Sequence, residues 1–359
     1  DEFMIEATIN LEAMVAQKSY EVPLEELLKD PENFQGTLVT VSEWWPSGHQ
    51  NHGFAVKLAR LGARNVREEL GRRYYPIIRE NKVRIFVNDG LCEPYNHCVW
   101  DENRAIKHRE HGIIPAQLKF NEVRRTDTRC LDCNALVESA ICSNCGHGNS
   151  LRSIDWRVRG FIGIQRFDDA NDFGIDLIRR GRVIKKLEKD AFFSWTPELG
   201  AEVKDYPIDS TYGRIVGEVH LDHVPTDFLK QDFQRTSVEW IDAISFLRGE
   251  SSVQPRSAES AGEPNNESPV YRIYQGYRRV RDFGTKDMYM GFWELGESRA
   301  KRISREVERN YFQKFKLREP GFFDDSEWWK LVEQADSKPV DDVKECPECG
   351  FQGLQGAES

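Results

Sequence analysis

The stretch WRVRGFIGIQRFDDANDFGIDLIRRGRVIKKL, Trp156 to Leu187, decides the fold class. Its first part, 156–167, is rich in β-branched and aromatic residues and reads as a strand. DDAND (168–172) then supplies a turn, and 173–187 reads as a second extended segment with its own tight turn at Arg180-Gly181. Downstream, GRIVGEVHLDHV (213–224) is another strand in which Ile215, Val219 and Leu221 alternate imperfectly with polar positions. FLKQDFQRT follows as a loop and SVEWIDAISFLRG as a helix. Upstream, 61–80 sets Val66, Leu70, Tyr74, Ile77 and Ile78 at helical spacing, with a kink expected at Pro76. KVRIFVNDGLCEPY then gives a strand, a turn at Asn88-Asp89-Gly90 and the start of a second strand. GTLVTV (36–41) reads as a strand, and YEVPLEELLKD as a short helix stopped by Asp30-Pro31. Mixed strands with crossing helices predict an α+β fold with helices on one face of the sheet.

With 359 residues, 39% hydrophobic and 31% charged, the chain is long enough for two or three domains and too rich in large apolar side chains for disorder. No apolar run is long enough to span a membrane, and the first residues lack the pattern of a signal peptide, so the expectation is a cytoplasmic protein without a membrane segment. An initial Asp1, and a final stretch that ends shortly after a cysteine knuckle, read as the two ends of a fragment. A net charge of −10 argues against a wholly basic nucleic-acid coat while leaving local basic patches open.

Six of the eight cysteines fall in three C-x-x-C pairs. CLDC (Cys130, Cys133) and CSNC (Cys142, Cys145) follow one another closely, and each pair can turn two thiolates toward one point, so together they predict a four-cysteine zinc ribbon over 129–148. A disulfide framework is a poor alternative in a cytosolic chain of this size. The third pair, Cys346 and Cys349 in ECPECGFQG, is half of such a site, to be completed by a knuckle beyond the sequence or by another chain; a free thiol pair is the alternative. Cys92 and Cys98 read as packing residues.

Residues 249–269 hold Ser, Glu, Pro, Gly and Asn with Val253 the only large apolar residue, and read as a flexible linker. Beyond it, 270–340 reads as mainly helical, with RAKRISREVERNYFQKFKLRE as a solvated helix and Trp328 and Trp329 anchoring a short apolar patch. Residues 341–359 carry the half knuckle. Aromatic and basic residues interleaved over 271–329 can be read as base-stacking groups or, more simply, as core.

The order GTLVTV, amphipathic helix, KVRIFVNDGLCEP, FGIDLIRRGRVI, GRIVGEVHLDHV and LKQDF resembles the transducer half of GHKL-superfamily ATPases, the group of gyrase, MutL and the 90-kDa heat-shock chaperones. Within it the likeness is to the microrchidia (MORC) proteins and their bacterial relatives, and it covers about 33–248. The resemblance implies a ribosomal-S5-like transducer domain at 33–248 with the zinc ribbon inserted, preceded by an N-terminal helical segment (1–32) that joins an ATP-binding lobe. It implies that Lys230, with Gln231 beside it, belongs to a switch loop whose lysine reaches the ATP γ-phosphate, and that a nucleotide-driven homodimer clamp acts on DNA, in genome maintenance or phage defence. ATP and Mg²⁺ would bind in the lobe. The acidic base, its Asn and the DxGxG element of that lobe cannot be placed in this sequence, nor is there a G-x-x-x-x-G-K-[ST] loop. The expectation is that the lobe lies before Asp1 and that the chain alone does not hydrolyse ATP.

A second reading is a non-enzymatic zinc-ribbon module that binds nucleic acid or protein. It rests on the cysteines with Arg124, Arg125 and Arg129 nearby, and on the hairpin residues Arg179, Arg180, Arg182, Lys185 and Lys186.

Overall fold

Every residue from Gly213 to His220 is buried, which accounts for the imperfect alternation there, because a strand covered on both faces needs no polar side. The computed structural model of the chain describes residues 3–18, 21–28, 39–40, 48–50, 52–108, 110–133, 135–146, 148, 150–198, 200–207, 211–277, 305–336, 344–345 and 352–353. The expected strand at 36–41 falls mostly outside them. Among the described residues no helix is long and apolar enough to cross a membrane.

The chain divides into two units, residues 1–62 and 63–359. In the first, β1 (Phe3–Ala7), α1 (Leu11–Gln17) and β2 (Leu24–Leu28) follow one another, and β2 pairs antiparallel with β1 from Phe3↔Leu28 to Ala7↔Leu24. This corrects the helix expected before Asp30. Leu and Glu favour helix locally, but the main-chain ladder offered by β1 outweighs a preference of a few tenths of a kcal/mol per residue. Asn10 caps α1, its side chain accepting from Ala13 N.

Helix α2 (His52–Arg79) leaves helical geometry at Gly62 (φ 71°, ψ 151°), a conformation open to glycine, and holds Pro76 within its last turns. After it come the short pair β3 (Phe86–Val87) and β4 (Gly90–Leu91), joined through Asn88 and Asp89 at positive φ as a type I′ turn requires. The hairpin β5 (Ala105–His108) and β6 (Gly112–Pro115) precedes the two long strands β7 (Gln117–Cys130) and β8 (Leu151–Asp169). Next are β9 (Gly174–Arg179), β10 (Arg182–Glu188), α3 (Asp190–Phe193), the pair β11 (Ser194–Trp195) and β12 (Val203–Lys204), and β13 (Gly213–His220). Helices α4 (Val238–Arg248), α5 (Pro255–Ser260), α6 (Pro269–Tyr277), α7 (Arg305–Lys316) and α8 (Asp325–Asp336) follow, and then β14 (Lys344–Glu345) paired with β15 (Gln352–Gly353).

The fold is α+β, around a five-stranded mixed sheet ordered β10-β9-β13-β8-β7. The DDAND turn therefore joins two strands that are not neighbours. Strand β13 lies between them, parallel to β9 and antiparallel to β8. Close approach in this centre demands glycine at 160, where φ is 144° and a Cβ would lie 1.8 Å from the Glu218 carbonyl oxygen.

Helices cover both faces, not one. On β9 the side chains alternate: Asp176 bonds Arg72 of α2 and Ile178 packs with Tyr75, while Ile175 and Leu177 join the large core with Trp240, Ala243 and Leu247 of α4. The C-terminal helices belong to that core as well. Phe312 stacks on Phe167 with ring centroids 3.7 Å apart, and Trp329 meets Trp100 edge-on at 5.8 Å. The helix expected to be solvated is thus amphipathic, burying Phe312 and Phe315.

The segment 249–269 is packed, not a flexible linker. Val253 and Ala258 are buried, Asn266 donates to the Arg248 and Ser251 carbonyls, and Asp205 accepts from Arg248, Ser252 and the Val253 amide. Polar side chains here bond buried backbone, an arrangement that composition alone cannot distinguish from solvated linker.

At the end of β13, burial pulls His220 down to about 4; Arg159 pushes the same way, and Asp222, Glu218 and Glu80 oppose it. The unfolded chain then binds a proton at about pH 6.5 that the folded chain refuses until about pH 4, so stability rises with pH across that window. Acidification from pH 7 to 4 is expected to cost on the order of 3 kcal/mol through this residue. His220→Gln should flatten that limb of the stability curve; an unchanged slope in urea titrations between pH 4 and 7 would refute the assignment.

Candidate metal centre

Beyond the end of β13, strands β7 and β8 continue as a two-stranded arm, paired from Thr126↔Asp155 to Cys130↔Leu151. Strand β7 lies along α4 from the sheet into the arm: Phe120 meets Phe246 edge-on, Arg124 pairs with Asp242 at 3.4 Å, and Arg129 in the arm pairs with Glu239 at 2.8 Å. All four cysteines of the tandem pairs sit at the tip of the arm.

Cys130 closes β7, and its amide donates to the Ala135 carbonyl, folding the first knuckle back on itself. Leu131 N bonds the Ser150 carbonyl and Val137 N the Thr128 carbonyl, which ties the loop to both strands. In the second knuckle Gly146 takes φ 78° and returns its amide to the Cys142 carbonyl, so the residue after Cys145 has to enter the left-handed region that glycine favours.

The result brings Cys130, Cys133, Cys142 and Cys145 together, with all four Sγ atoms within 4.8 Å of one another. Cys130 and Cys145 are 3.5 Å apart, as are Cys133 and Cys142. Thiolates bound to one ion at about 2.3 Å in a tetrahedron have S···S edges of about 3.8 Å, so the set fits a metal ion with small adjustments. Hydrogen bonds from the Asn144 side chain and the Ala135 backbone draw the Cys133 thiol down to about 6, which favours the thiolate that binds metal. Around the sulfurs the local cluster offers only Val137, Ala135 and Leu151 as apolar support. So small a cluster cannot hold a fold by burial alone, and a metal bound by the four sulfurs would supply the missing cohesion.

Among the described residues, no other expected site residue joins this set. Cys346 and Cys349 fall outside the described residues. Cys92 and Cys98 are buried, and burial raises the Cys98 thiol to about 12, so both are packing residues as expected. Lys230 and Gln231 stand on the loop between β13 and α4. Thr226 and Phe233 close this loop as a bridge, Lys230 N donates to the Asp227 carbonyl, and Gln231 N to the Asp227 carboxylate at 2.7 Å. Lys230 is exposed at φ 54°, and no described residue forms an ion pair with it. The carboxylate nearest in sequence, Asp232, is engaged by Lys185 and Arg235.

Sequence reading missed a second charged constellation. Asp176, fully buried, accepts from both terminal nitrogens of Arg72 (2.5 and 2.6 Å), from Tyr75 (3.2 Å) and from the Leu187 amide (2.9 Å), and lies 3.0 Å from His97 Nε2. Beside it Arg79 forks onto Glu218. The only sign in the sequence was an acid between Ile175 and Leu177 in the otherwise apolar run 173–178.

Comparison with models of protein families, with curated proteins and with solved structures returned no match.

Proposed function

We propose that the chain is the transducer element of a GHKL-type ATPase, in which Lys230 meets the γ-phosphate of ATP held by a separate nucleotide-binding lobe. One observation carries this reading: the LKQDF segment is a tightly hydrogen-bonded loop that leaves the Lys230 ammonium exposed and without an ion-pair partner among the described residues. A compact cation on a preorganised loop suits a phosphate oxygen and the charge that builds as its bond breaks. In the protein that joins this chain to its lobe, Lys230→Ala is expected to lower ATP turnover by about 10²-fold while leaving unfolding unchanged. Full turnover in that variant would end the assignment.

The metal ion of the arm we assign as zinc, held by Cys130, Cys133, Cys142 and Cys145, since a closed tetrathiolate set suits a structural zinc site. A second reading, in which the zinc arm is itself a binding module, is favoured by its reach beyond the sheet. Of the eight basic residues first offered for phosphate contact, five support nucleic acid poorly, while Arg179, Arg180 and Arg182 at the β9–β10 turn form no ion pair with a described residue. Arg125 pairs with Asp127, Arg124 with Asp242, Arg129 with Glu239, Lys185 with Asp232 and Lys186 with Glu69. Such pairs leave little free charge for counterion release.

A further inference from the structure

The tip differs in charge from the arm that carries it. Between Leu131 and Leu151 the sequence has no Lys or Arg, while Asp132 and Glu138 are both present and exposed. On the zinc reading given above, four thiolates around one divalent ion add a charge of about −2, so the tip as a whole carries about −4. The same small module exposes three aliphatic side chains, Leu131 at 62%, Ile141 at 57% and Leu136 at 43%. Their positions are set by the backbone: Leu131 N is bonded to Ser150, Leu136 bridges to Arg129, and the Ser139 hydroxyl donates to the Ile141 carbonyl. Aliphatic side chains held out on a metal-braced, anionic platform cost solubility without contributing to a core.

We propose that this tip is a docking surface for a cationic segment of a partner protein, one that carries Lys or Arg beside aliphatic side chains. The basic groups meet Asp132, Glu138 and the zinc-thiolate centre, and the aliphatic ones cover Leu131, Leu136 and Ile141. Charge selects this occupant. Nucleic acid and anionic membrane surfaces carry the same sign as the tip and are repelled, and a second copy docking tip to tip would set two like charges against each other.

The probe is a fluorescent helical peptide of leucine and lysine only, titrated with the full chain at physiological salt and read by anisotropy, with metal content measured on every sample. Reversing the tip charges with Asp132→Lys and Glu138→Lys is expected to weaken binding at least about tenfold. Reversing two distant exposed acids, Glu202→Lys and Glu259→Lys, changes net charge equally and should weaken it less than about twofold. Glu138→Lys alone should move in the direction of the tip pair, and Leu131→Ser with Ile141→Ser should also weaken binding. Equal loss from both charge-reversed pairs, or no loss from the tip pair, overturns the proposal, as does duplex DNA binding that the Leu131/Ile141 variant abolishes. A chain that holds no zinc yet binds the peptide through these tip residues would retire the metal assignment and leave the docking surface standing.

Discussion

Asp176→Ala is expected to destabilise the second unit by about 3–5 kcal/mol, among the largest losses available to a single substitution in this chain. The carboxylate is completely buried, and its value to the fold lies in what would be stranded without it. Arg72 would keep a buried guanidinium with no counter-ion, Tyr75 a buried hydroxyl, and Leu187 an amide at φ 48° inside the irregular part of β10. Burial by itself would raise the Asp176 pKa, but the charges and hydrogen bonds of His97 and Arg72 outweigh it and hold the group well below the usual carboxylate range. A depressed folded pKa means the contribution is complete above the unfolded value of about 4 and is lost only as pH falls through the folded one. Asp176→Asn preserves shape and one acceptor and should cost less. The double variant Asp176→Leu with Arg72→Met should recover the part of the loss that comes from the stranded guanidinium, while Tyr75, His97 and the Leu187 amide still lack their acceptor. Urea midpoints at constant m-value test all three; a cost for Asp176→Ala below about 1 kcal/mol would show that the network is not what binds α2 to the sheet.

That constellation also marks the limit of what the sequence discloses. The cysteine quartet was legible because metal-ligand spacing is local: each knuckle closes within a few residues, so Cys130 with Cys133, and Cys142 with Cys145, can be paired before any fold is known. Strands β8, β9, β10 and β13 were legible for the same reason, their β-branched runs being continuous in sequence. Pairing between distant segments was not. Nothing in DDAND says that β13 inserts between the strands it joins, and nothing in Arg72 or Asp176 alone says that they meet across 104 positions. Segment 249–269 misled for a related reason. Its Ser and Asn residues carry the composition of a linker, yet Ser252 and Asn266 are buried because Asp205, Arg248 and the backbone give each a partner. Polar burial depends on partners that only the fold supplies. At β2 the error ran the other way, local helix preference yielding to a ladder with β1.

Removing the metal, or replacing the fully buried Cys142 by serine, is expected to unfold the tip while sparing the sheet. The tip lies beyond the pairing of β13 with β8, and its few apolar residues form a cluster separate from the main core, so little cohesion passes between the two. Chelation should reduce bound zinc from one ion per chain to none and bring amide exchange over 131–150 close to free-chain rates, while β9 and β13 keep their protection. Cys142→Ser should do the same at saturating zinc, because a serine hydroxyl does not replace a thiolate in a soft four-sulfur site. Lowering pH should mimic chelation, since protons compete for all four sulfurs and affinity falls steeply as the thiolates are consumed. Hydrogen exchange followed by peptide mass analysis, with metal content measured in parallel, decides the matter. A tip that stays protected after its zinc is gone would mean that the backbone bonds of the two knuckles hold without an ion, and that the cysteines serve as a small sulfur core.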